Sequence, residues 1–477
     1  LLLLFLNVLI KPFWIFGIDR HVNNIVGVED WGLYFSLFSF SMILNILLDL
    51  GLTNFNNKNI AENRRLLQKH VSKIVGLKFL LAVVYSVVCL IIALIVGYHG
   101  IQLHLLFFLM ANQFLISFTL YLRSNISALH LFTTDSLLSV LDRSLMIIIC
   151  SVLLFTNITN HVFRIEWFVY AQTVAYLIAA SITMTVLLAH TGKLRFHFDR
   201  KFFIAFLKKS YPYALLVLLM SFYNRIDSVM LEGMLDNGKE QAGVYAQAFR
   251  LLDAVSMFGV LFAGLLLPIF ARMIKQKDDI GSMVQFSFLL LFVPSVIISV
   301  STGFYNNEIT TLLYTNNVES TAPILRLLMV SFLGVAVSYI FGTLLTANGS
   351  IRQLNWMAVA GMVINVGLNL IFIPHWQALG SAWASLGTQL ITALAQTILA
   401  VVILKLTVNY KLIGKLAIFI GFVTLAGFVS RHFDTWYVGY LAMIVASVLF
   451  ALFTRLINLT ALAQIIRNDQ NENEINS

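Results

Sequence analysis

Charge is scarce in this sequence. Asp, Glu, Lys and Arg make up 11% of its 477 residues, where a soluble domain carries about 25%. With 59% apolar residues and a mean hydropathy of +0.87, too little polar surface exists to wrap a water-soluble globule, and a disordered or collagen-like chain is excluded by the same composition. Cysteine occurs twice, which rules out a disulfide framework. Cys89 and Cys150 lie within apolar runs and read as small hydrophobes. The ten histidines are scattered without metal-ligand spacing, so no metal site is expected. No Ser/His/Asp set or Gly-rich phosphate loop is present, and the longest outward connection, 306–322, holds only Glu308 and Glu319 as acids. Neither enzyme chemistry nor a cofactor is expected.

What the chain has instead is long apolar runs: 1–18, 31–53, 74–97, 104–124, 137–155, 166–190, 211–232, 243–270, 284–305, 323–347, 356–373, 379–403, 412–430 and 437–456. A helix needs about 20 apolar residues to cross a hydrocarbon core, and a backbone in lipid must satisfy its own hydrogen bonds. The expected fold is therefore all-α and polytopic, with about 14 transmembrane helices. The chain opens on Leu1 rather than Met, which fits a trimmed N-terminus, and no small-residue cleavage site follows 1–18, so that run reads as a minimal first span and not as a signal peptide.

Lys and Arg set the orientation. Connections after even-numbered runs hold twenty of them, with Arg123 and Arg143 assigned to the fourth connection. Connections after odd-numbered runs hold four: Arg20, Arg164, Lys239 and Arg431. By the positive-inside rule both termini are cytoplasmic. The net charge of +9 is thus spread over separate loops, and no nucleic-acid partner is expected. Trp31, Trp167, Trp356, Trp376 and Trp436 fall near run ends, as an aromatic belt would.

An internal repeat is visible. In GVEDWGLYFSLFSF (27–40) and GKEQAGVYAQAFRL (238–251), Gly27, Glu29, Gly32, Tyr34 and Phe38 align without a gap on Gly238, Glu240, Gly243, Tyr245 and Phe249. The second run thereby corresponds to the eighth, and two pseudo-symmetric bundles running in the same direction are expected, with substrate between them. The chain divides into a six-helix lobe over 1–210, a second over 211–405, two additional helices in 406–466 and a polar cytoplasmic tail over 467–477, which reads as disordered.

An ionisable side chain near the bilayer centre costs roughly 2.5–3.5 kcal/mol on insertion scales, so each one calls for a reason. Lys11 in the first run, Arg225 in the seventh and Arg250 in the eighth each lie about 10 Å below the outer boundary by helical rise. Such a layer of cations suits an anionic ligand, with Arg offering a planar fork for phosphate oxygens and Lys a point charge. Gln247, Arg250 and Asp253 form one stripe at three-residue spacing, while Asn224 and Asp227 share a face of the seventh run. The alternative is structural: Arg250 pairs with Asp253 along its own helix, and Arg225 pairs with a carboxylate or snorkels. Asp49 reads as an interfacial anchor. Pro12 removes a backbone hydrogen bond beside Lys11 and is the expected hinge, Pro294 is a second candidate in the ninth run, and Pro212, Pro268, Pro323 and Pro374 read as helix-end residues.

The segment VGVEDWGLYFSLFSFSMILNILLDLGLTNFNNKNIAEN (26–63) resembles the second helix of lipid-linked oligosaccharide flippases of the multidrug/oligosaccharidyl-lipid/polysaccharide exporter superfamily, of which Wzx-type O-antigen flippases are an example. GVYAQAFRLLDAVSMFG (243–259), LLLPIFARM (265–273) and 344–385 are similar to that family's second half. The resemblance implies a MATE-like fold of two bundles working by alternating access in a bacterial plasma membrane. It further implies that Lys11, Arg225 and Arg250 hold the diphosphate of a polyprenyl-diphosphate-linked oligosaccharide, the expected partner together with membrane lipids, and it leaves room for other polysaccharide-assembly proteins. Two other readings stand beside it. A cation-coupled multidrug exporter of the same superfamily is expected to carry a membrane-embedded carboxylate in its first lobe, and a polymerase or glycosyltransferase is expected to carry a sizeable outward catalytic loop.

Overall fold

The computed structural model describes residues 10, 12–53, 67–156, 163–191 and 200–456. Lys11, the connections 54–66 and 192–199 and the tail 467–477 lie outside the described residues. Among the described residues every regular element is a helix, as the runs predict. A wide π turn, Trp14–Asp19, begins two residues after Pro12 and leads into α1 (Arg20–Val26). There follow α2 (Val28–Ile43), α3 (Leu67–Val96), α4 (Ile101–Ala128), α5 (Phe132–Phe155), α6 (Ile165–Thr191), α7 (Arg200–Met234) and α8 (Gly238–Gln276). The remainder comprises α9 (Ile280–Phe304), a short α10 (Asn306–Leu313), α11 (Val318–Ala347), α12 (Ile351–Leu404), α13 (Tyr410–Ser430) and α14 (Trp436–Phe453).

Eleven helices among the described residues are long and apolar enough to cross a membrane. One of them, α12, runs for 54 residues and breaks at Gln377, whose φ of 50° and ψ of −130° are not helical, so it supplies two crossings. The eleven helices thus cover twelve of the fourteen expected runs, and most of run 1–18 lies outside the described residues. The apolar side chains turn outward: α3 presents Val83, Ile91, Leu94 and Ile95 to the surroundings, Ile95 with 79% of its surface exposed. Such a face is tolerated only in lipid. Cys89 and Cys150 are buried and unbonded.

Proline placement corrects the sequence reading. Pro212 and Pro268 do not end helices; they lie inside the continuous α7 and α8, as Pro323 does in α11. Apolar runs measure what lies in hydrocarbon, whereas the helices extend beyond it into polar sequence, 39 residues in the case of α8. Pro374 does stand beside a true break, three residues before Gln377.

The chain forms two compact units. One comprises Leu1–Ala254, Leu313–Thr321 and Ile351–Ser385, and the other Val255–Leu312, Ala322–Ser350 and Leu386–Ser477. The first is built around Leu52, Ile74, Tyr121, Leu122, Ile126 and Leu187, which join α3, α4 and α6. In the second, Val293, Ile297 and Tyr305 meet Phe419, Val423 and Met443 of α13 and α14. There the Tyr305 hydroxyl donates to the Ser430 carbonyl at 2.9 Å, and Arg431 pairs with Glu308.

Candidate functional site

The first unit gathers charges from four separated stretches of sequence. On α7, Arg225 directs its fork at Asp253 of α8: Nη2 donates to Oδ1 at 2.9 Å and Nη1 to Oδ2 at 3.2 Å. One turn earlier on α8, Arg250 reaches the same carboxylate from Nη1 at 3.8 Å. Its Nη2 lies 3.1 Å from Asp19 of the π turn. Both structural pairings weighed from the sequence are therefore present, and Asp253 is shared between the two arginines. Aromatic rings occupy the guanidinium faces. Arg225 lies 5.0 Å over Phe249, and Arg250 lies between 5.2 and 5.7 Å from Trp31, Phe35 and Phe38 of α2. Quadrupole attraction holds the planes in place, so the N–H edges, which carry the hydrogen-bonding capacity, face the carboxylates.

Asp19 is the deep end of this network. Its side chain is 2% exposed, and neither carboxylate oxygen makes an aligned hydrogen bond; the Nε atoms of Arg20 and Arg250 and Nδ2 of Asn23 are also buried without one. Unmet polar groups at this density are costly.

Arg143 requires a correction. It is not in a connection: it stands at the middle of α5, with its guanidinium 5.9 Å from the Trp14 ring. Asp142 precedes it, and their side chains approach at 4.0 Å. Trp31 also departs from expectation. Far from anchoring a membrane interface, it is 1% exposed and lies under Arg250. Lys11, the third cation of the expected layer, is among the residues not described.

Asp227 lies in a different environment. It is fully buried and surrounded by neutral donors. Oδ1 accepts from Nδ2 of Asn365 at 3.1 Å and of Asn369 at 2.7 Å. Oδ2 accepts from the Tyr245 hydroxyl at 2.7 Å and from the Ser385 hydroxyl at 2.5 Å. Ser381 in turn donates to Asn369 Oδ1 at 2.7 Å. The sequence singled out Asp227 but not the four side chains that hold it, all of which are uncharged and therefore inconspicuous. Gln247 is likewise buried: it donates to Asn23 Oδ1 at 2.8 Å and accepts from Thr321 at 2.7 Å. Gln247 and Arg250 of the stripe thus meet Asn23 and Asp19 of the N-terminal stretch, while Asp253 meets Arg225 and Arg250. Asn224 lies beside Arg225 on α7.

A second buried ion pair escaped the sequence reading. Lys78 of α3, 1% exposed, pairs with Asp49 and donates to the Leu48 carbonyl and the Ser117 hydroxyl, each at 3.1 Å. Asp49 also accepts from the Gly51 amide at 3.1 Å, so it shapes the turn after α2 as well as neutralising a lysine.

The class of protein follows from the helices: a multi-pass membrane protein, all-helical among the described residues. It is similar in structure to the lipid II flippase MurJ in its inward closed conformation, with a TM-score of 0.70 and 16% identity over 95% of this chain and 98% of that one. It is also similar to an inward-facing multidrug resistance MATE family transporter, at 0.63 and 14% over 83% and 97%. A third likeness is to a superfamily transporter from Pyrococcus furiosus described as having a binding pocket of reverse polarity, at 0.52 and 13% over 83% and 91%. A comparison with curated proteins gives no match. The chain belongs to the polysaccharide biosynthesis protein family, whose sequence profile matches residues 21–274, more than half of its length.

Proposed function

We propose that this protein is a flippase that carries a polyprenyl-diphosphate-linked oligosaccharide, an O-antigen unit or another surface polysaccharide unit, across the bacterial plasma membrane by alternating access, with both termini in the cytoplasm. The observation that carries the reading is the pair Arg225 and Arg250, two guanidinium forks oriented by aromatic faces within 5.7 Å. Planar forks match phosphate oxygens, and a diphosphate offers enough of them for both. Family membership supports the polysaccharide side of the reading, and the fold shared with a protein described as a lipid II flippase supports transport of a lipid-linked head group. Lys11 completes the cation set in this proposal, and Pro12 serves as the hinge that lets the first helix bend. Asn224, Gln247 and Asp227 support the arginine-bearing helices around the ligand.

A second reading, a cation-coupled multidrug exporter, is favoured by Asp19, a buried acid within the expected first lobe. Depletion of the protein in its host followed by extraction of polyprenyl lipids separates the two. Accumulation of a diphosphate-linked oligosaccharide on the inner leaflet, with loss of a surface glycan, is the expected result. Unchanged lipids together with raised sensitivity to cationic drugs would establish the exporter instead.

A further inference from the structure

Asp253 stands where an anion would stand. Its two oxygens accept both prongs of Arg225, at 2.9 and 3.2 Å, and one of them lies 3.8 Å from Arg250. Arg250 has a separate, deeper partner in Asp19. The two carboxylates thus differ in accessibility: Asp19 is 2% exposed, whereas Asp253 and Arg225 are 19% and 18% exposed. The guanidinium planes are held by ring contacts that do not involve Asp253. If Asp253 turned away, the forks would keep their orientation and present free N–H edges.

We infer that Asp253 is an internal substitute for the phosphate group of the ligand. It neutralises Arg225 and Arg250 in the empty carrier, yields them to the incoming head group, and takes them back when the head group leaves. The inference rests on the proposed reading of an anionic lipid-linked substrate and adds a device to it. The physical reason is charge balance. An unpaired guanidinium inside a membrane protein is costly, so an empty site without Asp253 would either retain its ligand or resist the conformational return. With Asp253 present, the guanidinium groups have an anionic partner in both states, the carboxylate when the site is empty and the phosphate when it is loaded. The exchange is non-covalent.

A purely structural ion pair between α7 and α8 predicts something different, because removing it would loosen the fold without improving ligand binding. The test is to purify the full chain and its Asp253→Asn variant in detergent and titrate each with farnesyl diphosphate, farnesol and inorganic diphosphate, following the fluorescence of the buried Trp31. The variant should bind farnesyl diphosphate about tenfold tighter than the wild type, a typical coupling between linked sites, and neither should bind farnesol. Tightening confined to farnesyl diphosphate assigns the exchange to a lipid head group, and tightening with inorganic diphosphate as well assigns it to the diphosphate itself. In vesicles loaded with the native lipid, the variant should retain substrate-for-substrate exchange while net transport falls. Wild-type binding that is unchanged or weakened in the variant would overturn the role given to Asp253 and leave the flippase reading intact. Absence of binding by both proteins would overturn the anionic head-group reading itself, and the inference with it. Should Asp253→Asn fail to fold, Asp253→Cys provides the same neutral state, and alkylation with iodoacetate returns a carboxylate. Tight binding before alkylation and weak binding after it is the expected result, and equal binding before and after would overturn the inference.

Discussion

Gly32 of α2 and Gly243 of α8 meet backbone to backbone. A Cβ on Gly32 would stand 1.9 Å from the Lys239 carbonyl oxygen and 2.5 Å from the Gly243 amide nitrogen, and a Cβ on Gly243 would stand 2.0 Å from the Val28 carbonyl oxygen. Small residues let membrane helices approach this closely. The two glycines are also counterparts in the internal repeat, so the duplicated motif packs against its own copy. The correspondence continues along both helices. Tyr34 stacks on Phe38 at 5.9 Å and Tyr245 on Phe249 at 5.6 Å. Each tyrosine hydroxyl then meets a polar side chain, Gln172 at 3.0 Å in one case and Ser385 at 3.2 Å in the other.

Gly32→Ala and Gly243→Ala should each lower thermal stability in detergent, because overpacking of this kind costs about 1–3 kcal/mol. The double variant should cost less than the sum of the two, since separating the helices once makes room for both methyl groups. Melting curves of the three variants check this, and strict additivity would count against a shared contact.

Arg250→Ala should abolish transport while the protein still inserts in the membrane. It should also destabilise the fold, because Asp19 is left as an unpaired buried charge, a loss of about 3–5 kcal/mol. Adding Asp19→Asn should restore most of the melting temperature and none of the transport. A double variant that transported at the wild-type rate would remove Arg250 from the mechanism.

Asp227→Asn should be more damaging than Tyr245→Phe. Both carboxylate oxygens accept two hydrogen bonds each; an amide turns one of these acceptors into a donor facing donors, with a penalty of about 1–3 kcal/mol. Tyr245→Phe removes a single donor and should cost about 1 kcal/mol. Thermal melts of the two variants give the comparison.

For the second ion pair, Asp49→Asn should cost more than Lys78→Met. The former leaves Lys78, 1% exposed, without its counter-charge, whereas the latter leaves Asp49, 24% exposed and within reach of solvent. The penalty of a broken pair is set by how deeply the surviving charge is buried. Guanidinium- or heat-induced unfolding of both variants tests the order, and the reverse order would show that Asp49 matters chiefly through the turn it caps.

Much of this architecture is legible in the amino-acid sequence. Apolar runs of sufficient length admit only helices in lipid, and they alone determine the class and the break near Pro374 and Gln377. The repeat is equally plain, because Gly32 and Gly243 keep their spacing to Tyr34 and Tyr245. So are Arg225, Arg250 and Asp253, since an ionisable residue stands out against an apolar background. What each charge pairs with is decided only by tertiary structure. Helical periodicity identifies neighbours three or four residues apart, whereas Arg225 and Asp253 are 28 residues apart and Arg250 finds Asp19 on a stretch that precedes α2. For the same reason Arg143 reads as a charge of a connection and Lys78 goes unread, and Trp31, whose position near a run end fits a membrane interface, lies instead beneath Arg250. Sequence determines that these charges enter the membrane; the packing of α1, α2, α5, α7 and α8 decides which of them neutralise one another, because in a low dielectric that outcome depends on distances of a few ångströms.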